Sequence, residues 1–497
     1  MDSIQSVLYG LQVVLQPANL FSCFFGVLLG TLIGVLPGLG PGGAIALLLP
    51  ITFKATPVSA IIMLAGIYYG AMYGGSTTSI LVNIPGEAAS VVTCLDGHQM
   101  ALRGRAGAAL GIAAFGSFIA GTIAVIALTL LGPVLAGFAL QFGPPEYFSM
   151  MVLGILVLTY LGTGSMLKSL MMAIIGLMIS GVGTDITSGE YRFTYFRSLL
   201  DGIGIVPTVM GLFGISEVLL NLETELRREV VATRLRNLFP TLKDWAASIL
   251  PILRGTVLGF FLGILPGGGA VISSFASYAI EKKVSKHPEQ FGKGAIEGVA
   301  GPEAANNAAA GGAFIPLLTL GIPANPVIAI LMGALLIHGL QPGPMLMTSA
   351  PDVFWGTIVS MYVGNAMLVV LNLPLIGLWV QVLRVPYSLL YPLILLFCLT
   401  GSYSIGNNVG DVVIMLFFGI VGYLMKKFHY EAAPMVLAIV LGKMLEANLR
   451  QSLILAHGEF SVFVTRPISL GFLIVAAILL IVPIVTQRKK LSTLKEE

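Results

Sequence analysis

Two stretches of this sequence, GVLLGTLIGVLPGLG (26–40) and GTVLGFFLGILPGGG (255–269), decide the fold. Aligned without a gap, at an offset of 229, they share eight identities in fifteen positions, which are Gly26/Gly255, Leu29/Leu258, Gly30/Gly259, Gly34/Gly263, Leu36/Leu265, Pro37/Pro266, Gly38/Gly267 and Gly40/Gly269. Further on, GGSTTSILVNIP (74–85) and GAFIPLLTLGIP (312–323) both end in Ile-Pro at an offset of 238. The sequence thus contains an internal repeat, which predicts two related halves.

The composition around these stretches is that of a membrane protein. The chain has 497 residues, of which 56% are hydrophobic and 10% charged, and its mean hydropathy is +0.94. Soluble domains carry about 25% charged residues, so this chain lacks the polar surface of a globule and must face lipid. The net charge of +3 forms no basic face, and we expect no nucleic-acid partner. The three cysteines form no CxxC pair and predict neither a disulfide framework nor a metal site.

Apolar runs long enough to cross a bilayer recur along the whole chain, and a spanning helix needs about 20 such residues. Two segments, 20–50 and 250–280, are apolar but interrupted at their midpoints. Continuous candidates lie at 58–82, 107–131, 147–162, 167–184, 202–220, 308–342, 354–376, 386–405, 411–425, 432–449 and 467–486. We expect an all-α polytopic membrane protein of about 11–12 transmembrane helices in two inverted repeats, with Pro/Gly-broken or re-entrant helices.

The basic residues predict the orientation, because short loops rich in Lys and Arg stay in the cytoplasm. The strongest such loop is 222–249. If 20–50 and 250–280 each enter and leave on one side, about eleven full crossings remain, with the N-terminus outside and the C-terminus cytoplasmic. The expected organisation is an N-terminal repeat half (1–221), a cytoplasmic linker (222–249) and a C-terminal repeat half (250–497).

Equivalent loops of the two halves carry opposite charge bias. After the first motif, the N-terminal half has only Lys54, whereas the C-terminal half has four lysines within 282–293. After the second motif, the N-terminal half has Arg103 and Arg105, whereas 343–353 has no basic residue. The halves are therefore expected to be inverted, and inverted repeats around a midplane site are common in secondary transporters.

The Gly-rich motifs LPGLGPGG (36–43) and LPGGG (265–269) cannot continue a helix, because Pro removes a backbone donor and clustered Gly lowers helix stability. A break of this kind is tolerated in a membrane only inside protein or beside water. We predict that the breaks expose backbone groups to substrate or ion; the alternative is a packing kink. The candidate substrate-binding residues here are Pro37, Gly38, Gly40, Pro266, Gly267, Gly268 and Gly269.

A second predicted break, YGGSTTSILVNIPGE (73–87), adds hydroxyl groups beside a Gly pair. Helix N-termini near such donors favour an anion. The alternative is that each hydroxyl bonds back to its own helix. The candidate substrate-binding residues of this segment are Gly75, Ser76, Thr77, Thr78, Ser79, Asn83, Pro85 and Gly86. The equivalent Ile-Pro motif of the second half adds Pro323.

The densest polar cluster is GVAGPEAANNAAAGGAFIPLLTLGIPANP (298–326). Glu303, Asn306 and Asn307 sit among small residues, and their spacing places them near one helical face. A carboxylate inside the membrane indicates function by default. We expect a coupling site for Na⁺ or H⁺ at these three residues and no other cofactor. The alternative is a solvated Glu303 in a loop at the membrane edge.

These motifs resemble one known family. The blocks LPGLGPGGAIALLLPITF, YYGAMYGGSTTSILVNIPGE, DGHQMALRGRAGAALGIAAFGSF and GPEAANNAAAGGAFIPLLTLGIPANPVIAILMGALLIHGLQPGP are similar to the large membrane subunit (TctA family) of tripartite tricarboxylate transporters. The resemblance covers at least 26–120 and 255–345. The segment PANP (323–326) departs from the Pro-Gly-Ser type of sequence that is usual in the family at this place. The resemblance therefore does not specify which residues of this segment contact the substrate.

The resemblance implies a bacterial inner-membrane permease that takes up carboxylates such as citrate, driven by a Na⁺ or H⁺ gradient. It also implies two partners, a small four-helix membrane subunit and a periplasmic solute-binding protein. A passive channel or a standalone carboxylate carrier is the alternative that the repeat alone permits. An enzyme is not expected, because HExxH, GxSG and GxGD motifs are absent and NNVGD (407–411) has Asn408 where Gly is required.

Overall fold

The computed structural model describes residues 3–36, 40–161, 165–185, 188–196, 199–223, 238–265, 269–383, 385 and 387–496. Most of this is helical, as expected. The α-helices are α1 (Ser3–Val14), α2 (Pro17–Val35), α3 (Gly40–Leu48), α4 (Pro57–Val82), α5 (Val91–Met100), α6 (Ala106–Ala139), α7 (Pro144–Leu161), α8 (Met166–Ser180), α9 (Ile205–Val209), α10 (Ser216–Glu223), α11 (Leu242–Ile264), α12 (Gly269–Val284), α13 (Glu297–Gly312), α14 (Phe314–Leu320), α15 (Pro326–Ile337), α16 (Leu346–Ser349), α17 (Pro351–Asn372), α18 (Ile376–Val382), α19 (Tyr387–Gly406), α20 (Val409–Lys427), α21 (Ala433–Leu455), α22 (Val462–Thr465) and α23 (Pro467–Glu496).

Short segments join these helices. Two two-residue strands, β1 (Gly183–Thr184) and β2 (Tyr191–Arg192), pair antiparallel with Gly183 opposite Arg192. π-helical turns occupy Ala101–Arg105 and Met210–Ile215. The 3-10 turns are Leu49–Lys54, Ala88–Ser90 and Pro288–Gln290.

The described residues include six helices long and apolar enough to cross a membrane, together with shorter apolar helices. This confirms the all-α polytopic class, whereas the number of full crossings stays a prediction. The continuous span expected at 308–342 is wrong, because α13, α14 and α15 divide it. The chain turns at Gly321, whose φ of +71° only glycine adopts readily, and Pro326 then opens a new helix.

The chain forms two compact units. The larger comprises Met1–Ala136 and Val206–Leu424, and the smaller comprises Gly137–Ile205 and Met425–Glu497. Each unit combines segments from both expected sequence halves, so the units do not correspond to the halves. The boundaries of the halves stay a prediction. Half of the expected linker between the halves, 224–237, lies outside the described residues.

Each unit has its own internal contacts. In the smaller unit, Arg192 pairs with Glu446 at 3.0 Å and Arg450 pairs with Asp185 at 2.9 Å. In the larger unit, α4 and α13 are almost wholly buried and contact each other. The polar residues singled out in the sequence lie on and around these two buried helices, so the larger unit holds the candidate site.

The internal repeat is visible in helix packing. On α2, the glycines Gly26, Gly30 and Gly34 lie against the backbone of α4, where a Cβ would overlap Met63, Ile67 and Ala71. On α11, a Cβ at Gly255, Gly259 or Gly263 would overlap Gly301, Ala305 and Ala309 of α13. The glycines are related by the offset of 229 and their partners by the offset of 238, the two offsets seen in the sequence. Small residues let membrane helices approach closely, which explains why the glycine spacing recurs in both halves.

Both segments with an expected midpoint interruption are helix pairs in the structure. α2 ends at Val35 and α3 begins at Gly40, whereas α11 ends at Ile264 and α12 begins at Gly269. Gly40 and Gly269, which the repeat makes equivalent, have φ of +58° and +46°. This left-handed backbone is costly for residues with a Cβ, so glycine opens both second helices. Re-entry into the membrane stays a prediction.

The break expected within 73–87 is shorter than the sequence indicates. α4 runs uninterrupted through Gly74 and Gly75 to Val82, so the glycine pair does not interrupt it. The helix ends at Asn83, which has φ of +58° and forms a left-handed C-cap. The chain is non-helical only between Asn83 and the turn at Ala88–Ser90. The glycine pair serves packing, because a Cβ on Gly74 would overlap the Thr31 carbonyl oxygen.

Candidate functional site

The candidate site is built around Glu303, near the middle of α13. Its side chain is only 1% exposed, which excludes the solvated loop position. Ser76 of α4 donates its hydroxyl to Glu303 Oε2 at 2.5 Å, and the Thr93 hydroxyl of α5 donates to Oε1. The carboxylate predicted for ion coupling therefore accepts hydrogen bonds from two helices of the other half of the sequence.

The two asparagines of α13 reach different neighbours. Asn307 Nδ2 donates to Ser117 Oγ of α6 at 2.7 Å and to the Glu303 carbonyl oxygen at 3.1 Å. Asn306 Nδ2 donates to Glu87 Oε1 at 3.2 Å, in the segment after α4. Asn306 Oδ1 is buried and accepts no hydrogen bond from the described residues. The structure places all three predicted coupling residues in the same buried region, with Glu87 added to them.

The hydroxyl run of α4 is buried throughout. Ser76 bonds Glu303, and its 3.4 Å contact with the Met72 carbonyl oxygen is the weaker one. Thr78 donates to the Val35 carbonyl oxygen at 2.7 Å, at the end of α2, where the first break begins. Thr77 lines a small cavity, and Ser79 is fully buried. The remaining polar residues of that cavity are Tyr73, Ser76, Ser117 and Asn372. Back-bonding to the same helix thus does not account for this run.

Glycines bring the segment after α4 back against the helix. A Cβ on Gly86 would overlap the Gly34 carbonyl oxygen and lie 2.5 Å from Gly75 Cα. A Cβ on Gly75 would lie 2.9 Å from Glu87 Cγ. Glycine at position 86 allows the two backbones to approach closely, whereas glycine at position 75 leaves room for the Glu87 side chain beside α4. Pro85 is half-buried in the same segment, whereas the Asn83 side chain is exposed.

The equivalent segment of the second half lies beside the second break. Pro323 is buried, and Asn325 caps α15 by accepting from the Ile328 amide at 3.0 Å. A Cβ on Gly269 would lie 3.9 Å from Asn325 Cβ, so the start of α12 adjoins this segment. The remaining candidates, Pro37, Gly38, Pro266, Gly267 and Gly268, lie outside the described residues.

Four site residues were missed by the sequence reasoning: Glu87, Thr93, Asp96 and Ser117. Glu87 had a signal, since it is a carboxylate at the end of an apolar, Gly-rich segment. Asp96 is fully buried and positions α13, because it accepts from the Gly294 and Ala295 amides at 2.7 and 2.8 Å and from the Tyr278 hydroxyl at 2.9 Å. Thr93 and Ser117 could not be identified, because their partners are distant in sequence.

Oxygen atoms dominate this region, which suits a hard cation such as Na⁺ rather than a softer metal. Among the described residues, no group of three or more His, Cys, Asp and Glu side chains could hold a metal ion. Buried carboxylates with hydroxyl and amide partners, inside apolar and broken helices, define an integral membrane protein of the transport class.

The chain belongs to the tripartite tricarboxylate transporter TctA family, which matches residues 20–437. It is thus a component of a multi-part transporter rather than a member of an enzyme family. A protein of Agrobacterium vitis, described as an uncharacterized 52.8 kDa protein in the TAR-I ttuC' 3' region, is 52% identical over 476 residues, covering 96% of this chain and 95% of the relative. An uncharacterized protein in the TAR-II ttuC' 3' region of that organism is 53% identical over 234 residues, covering 46% of this chain and 97% of the relative. No solved structure matches the chain.

Proposed function

We propose that this chain is the permease of an ion-gradient-driven secondary active uptake system for a tricarboxylate or a related carboxylate. A periplasmic solute-binding protein delivers the substrate, and a small four-helix membrane subunit completes the complex. The complex lies in the bacterial inner membrane with the C-terminus of this chain in the cytoplasm. Membership of a tripartite tricarboxylate transporter family supports the proposal.

The single observation that carries the proposal is the burial of Glu303. This carboxylate accepts from Ser76 and Thr93 and has no ion-pair partner within the described part of the chain. A buried charge without a partner is costly, so an ionisable residue of this kind marks an ion or proton pathway. A Na⁺ ion or a proton at Glu303, Asn306 and Asn307 compensates this charge and couples uptake to a gradient.

Neutral donors and helix ends bind the substrate in this proposal. α3 and α12 begin directly after the Gly-rich breaks, and helix N-termini attract anions. The breaks and the first residues of these two helices contribute Pro37, Gly38, Gly40, Pro266, Gly267, Gly268 and Gly269. The segments around the Ile-Pro motifs contribute Gly75, Ser76, Thr77, Thr78, Ser79, Asn83, Pro85, Gly86 and Pro323. The coupling cation offsets the charge of the bound anion, and alternating access then carries both across.

The test is uptake of radiolabelled citrate and a panel of di- and tricarboxylates into proteoliposomes. The vesicles hold this chain with its small subunit, with the binding protein outside and an imposed Na⁺ or H⁺ gradient. Uptake that needs both the binding protein and a gradient supports the proposal. Equilibration of substrate without a gradient or a binding protein overturns it in favour of a passive channel or a standalone carrier.

Glu303→Gln tests the coupling residue in the same vesicles. The variant keeps one acceptor oxygen for one of the two hydroxyls, Ser76 or Thr93, and the other hydroxyl can accept from the new amide nitrogen. The charge is lost, so we expect gradient-driven uptake to fall about 100-fold or more. Glu281→Gln is the matched control, because Glu281 is an equally buried carboxylate whose charge is compensated by Arg254 at 2.9 Å. Full coupled uptake by Glu303→Gln contradicts the coupling role.

A further inference from the structure

Glu87 and Asn325 occupy equivalent positions in the two halves, at the offset of 238. Each follows an Ile-Pro motif, and their backbone angles nearly coincide, with φ/ψ of −147°/167° at Glu87 and −153°/170° at Asn325. Each caps the next helical segment, because Glu87 accepts from the Ala89 amide at 2.5 Å and Asn325 from the Ile328 amide at 3.0 Å. The two side chains therefore perform the same structural task.

Each cap also bonds the central helix of the opposite half. Glu87 Oε1 accepts from Asn306 of α13 at 3.2 Å, and Asn325 Nδ2 donates to the Tyr68 hydroxyl of α4 at 3.1 Å. Tyr68 and Asn306 are themselves related by the offset of 238. The two hydrogen bonds are thus related by the repeat, and each links the Ile-Pro segment of one half to the buried helix of the other.

The pair differs in charge. Asn325 shows that the cap and the link between the halves need only a neutral amide, since Asn is among the best N-cap residues. At Glu87 the link runs in the opposite direction, because Glu87 accepts its hydrogen bond whereas Asn325 donates, but an amide at this position could donate to Asn306 Oδ1 instead. Neither structural task therefore requires the charged carboxylate of Glu87. It is buried, and no ion pair of the described residues includes it. Proteins keep buried charges where they are paired or bind ions, because desolvation is otherwise uncompensated.

Asn306 supplies the second observation. Its Nδ2 is bonded to Glu87, and its Oδ1 lies on the same buried amide group without a hydrogen-bond partner among the described residues. A buried amide oxygen is costly to leave unsatisfied. A carboxylate and a free amide oxygen on adjoining groups form the kind of oxygen donor set that hard cations take. Glu303, one turn earlier on α13, contributes further negative charge.

We infer that Glu87 and Asn306 Oδ1 bind a Na⁺ ion at the contact between the Ile-Pro segment of the first half and α13. The inference rests on the proposed function and names Glu87 as a ligand of its coupling ion. Because the carboxylate is present in the first half and replaced by the amide of Asn325 in the second, the site occurs once in the repeat.

The test compares Glu87→Asn with wild type in detergent, without substrate or partner proteins. Asparagine is the residue with which the second half fills this position, so the variant keeps a cap while losing the charge. Thermal unfolding is followed in NaCl and in choline chloride of equal ionic strength, and ²²Na⁺ binding is measured directly. Bound ligand raises the unfolding temperature, so we expect a Na⁺-specific rise in wild type only. Binding of ²²Na⁺ should weaken about tenfold or more in Glu87→Asn.

Asn325→Ser is the matched control, because it keeps a capping side chain and loses only the bond to Tyr68; its Na⁺ affinity should equal that of wild type. If Glu87→Asn does not fold, Asn306→Ala is measured instead and should show the same loss. Wild-type Na⁺ affinity in the folded variant overturns the inference, as does absence of Na⁺ binding in wild type. Either result rules out the Na⁺ site at Glu87 but not the proposed function. The proposed function is tested separately, by whether wild-type protein shows uptake that needs both a gradient and the binding protein.

Discussion

Single glycines set the distance between the central helices of this protein. Gly30 and Gly259 occupy equivalent places on α2 and α11, and each faces backbone rather than a movable side chain. The nearest atoms to a Cβ at Gly30 belong to Ile67, and those at Gly259 belong to Ala305. Because backbone atoms cannot rotate away as a side chain can, adding even one methyl group at either glycine would force the two helices apart.

Gly30→Ala and Gly259→Ala should therefore destabilise the protein to a similar degree, by about 1–3 kcal/mol each. Thermal unfolding of the purified variants in detergent measures the effect as a lower apparent Tm. Gly377→Ala is the control, since that helical glycine has nothing within 4 Å of an added Cβ. The control should be neutral or more stable by up to about 1 kcal/mol. Equal stability of Gly259→Ala and Gly377→Ala would refute the packing argument.

The sequence predicted the site residues only where one residue carries its own signal. Glu303 was identifiable because a carboxylate among Ala and Gly has no packing role. Its hydrogen-bond partners were less predictable. Nothing in the local sequence distinguishes Thr93 from other threonines, and only the fold brings it beside a carboxylate 210 positions away. The link between Asn306 and Glu87 spans 219 positions and likewise depends on tertiary structure. Local patterns carry no information about such contacts.

At the scale of elements, apolar helices were predictable because hydropathy records removal from water, whether into lipid or into the protein interior. The helix α4, which is buried inside the protein, follows its predicted span of 58–82 within a residue. Break positions were less predictable. The Gly74–Gly75 pair lies inside a helix because neighbouring helices compensate its low helix propensity through close packing. The apolar run 308–342 breaks at Gly321 because a left-handed residue ends a helix regardless of hydrophobicity.

Asn83 combines an element boundary with a proposed substrate contact, and Asn83→Gly separates the two. Glycine adopts the left-handed backbone at least as well, so the C-cap and the stability should persist. Loss of one neutral hydrogen bond, worth about 1 kcal/mol, should raise the KM for carboxylate uptake about fivefold with kcat unchanged. Asn407→Gly, at another exposed left-handed asparagine outside the site, should change neither value. An unaltered KM in Asn83→Gly would remove Asn83 from the substrate site.

At the scale of the whole molecule, the internal repeat accounts for more features of the structure than the division into two compact units does. Helix pairs, left-handed glycines and cap residues recur at offsets of 229 and 238 within the larger unit. The sequence showed this relation through glycine and proline, because backbone geometry tolerates few substitutes there. It could not show that Glu87 and Asn325 make the same cap while differing in charge, since that equivalence depends on the hydrogen bonds of the folded chain.

The repeat predicts opposite membrane sides for Lys54 and Lys283, which are equivalent by the offset of 229 and exposed. Each is replaced by cysteine in a background lacking Cys23, Cys94 and Cys398, and intact cells are treated with a membrane-impermeant maleimide. Basic loops stay in the cytoplasm, so Lys283→Cys should react only after permeabilisation, whereas Lys54→Cys should react at once. A background with no cysteine controls for labelling of other proteins. Labelling of both positions from the same side would show that the halves are parallel, and a midplane site between inverted halves would then have to be abandoned.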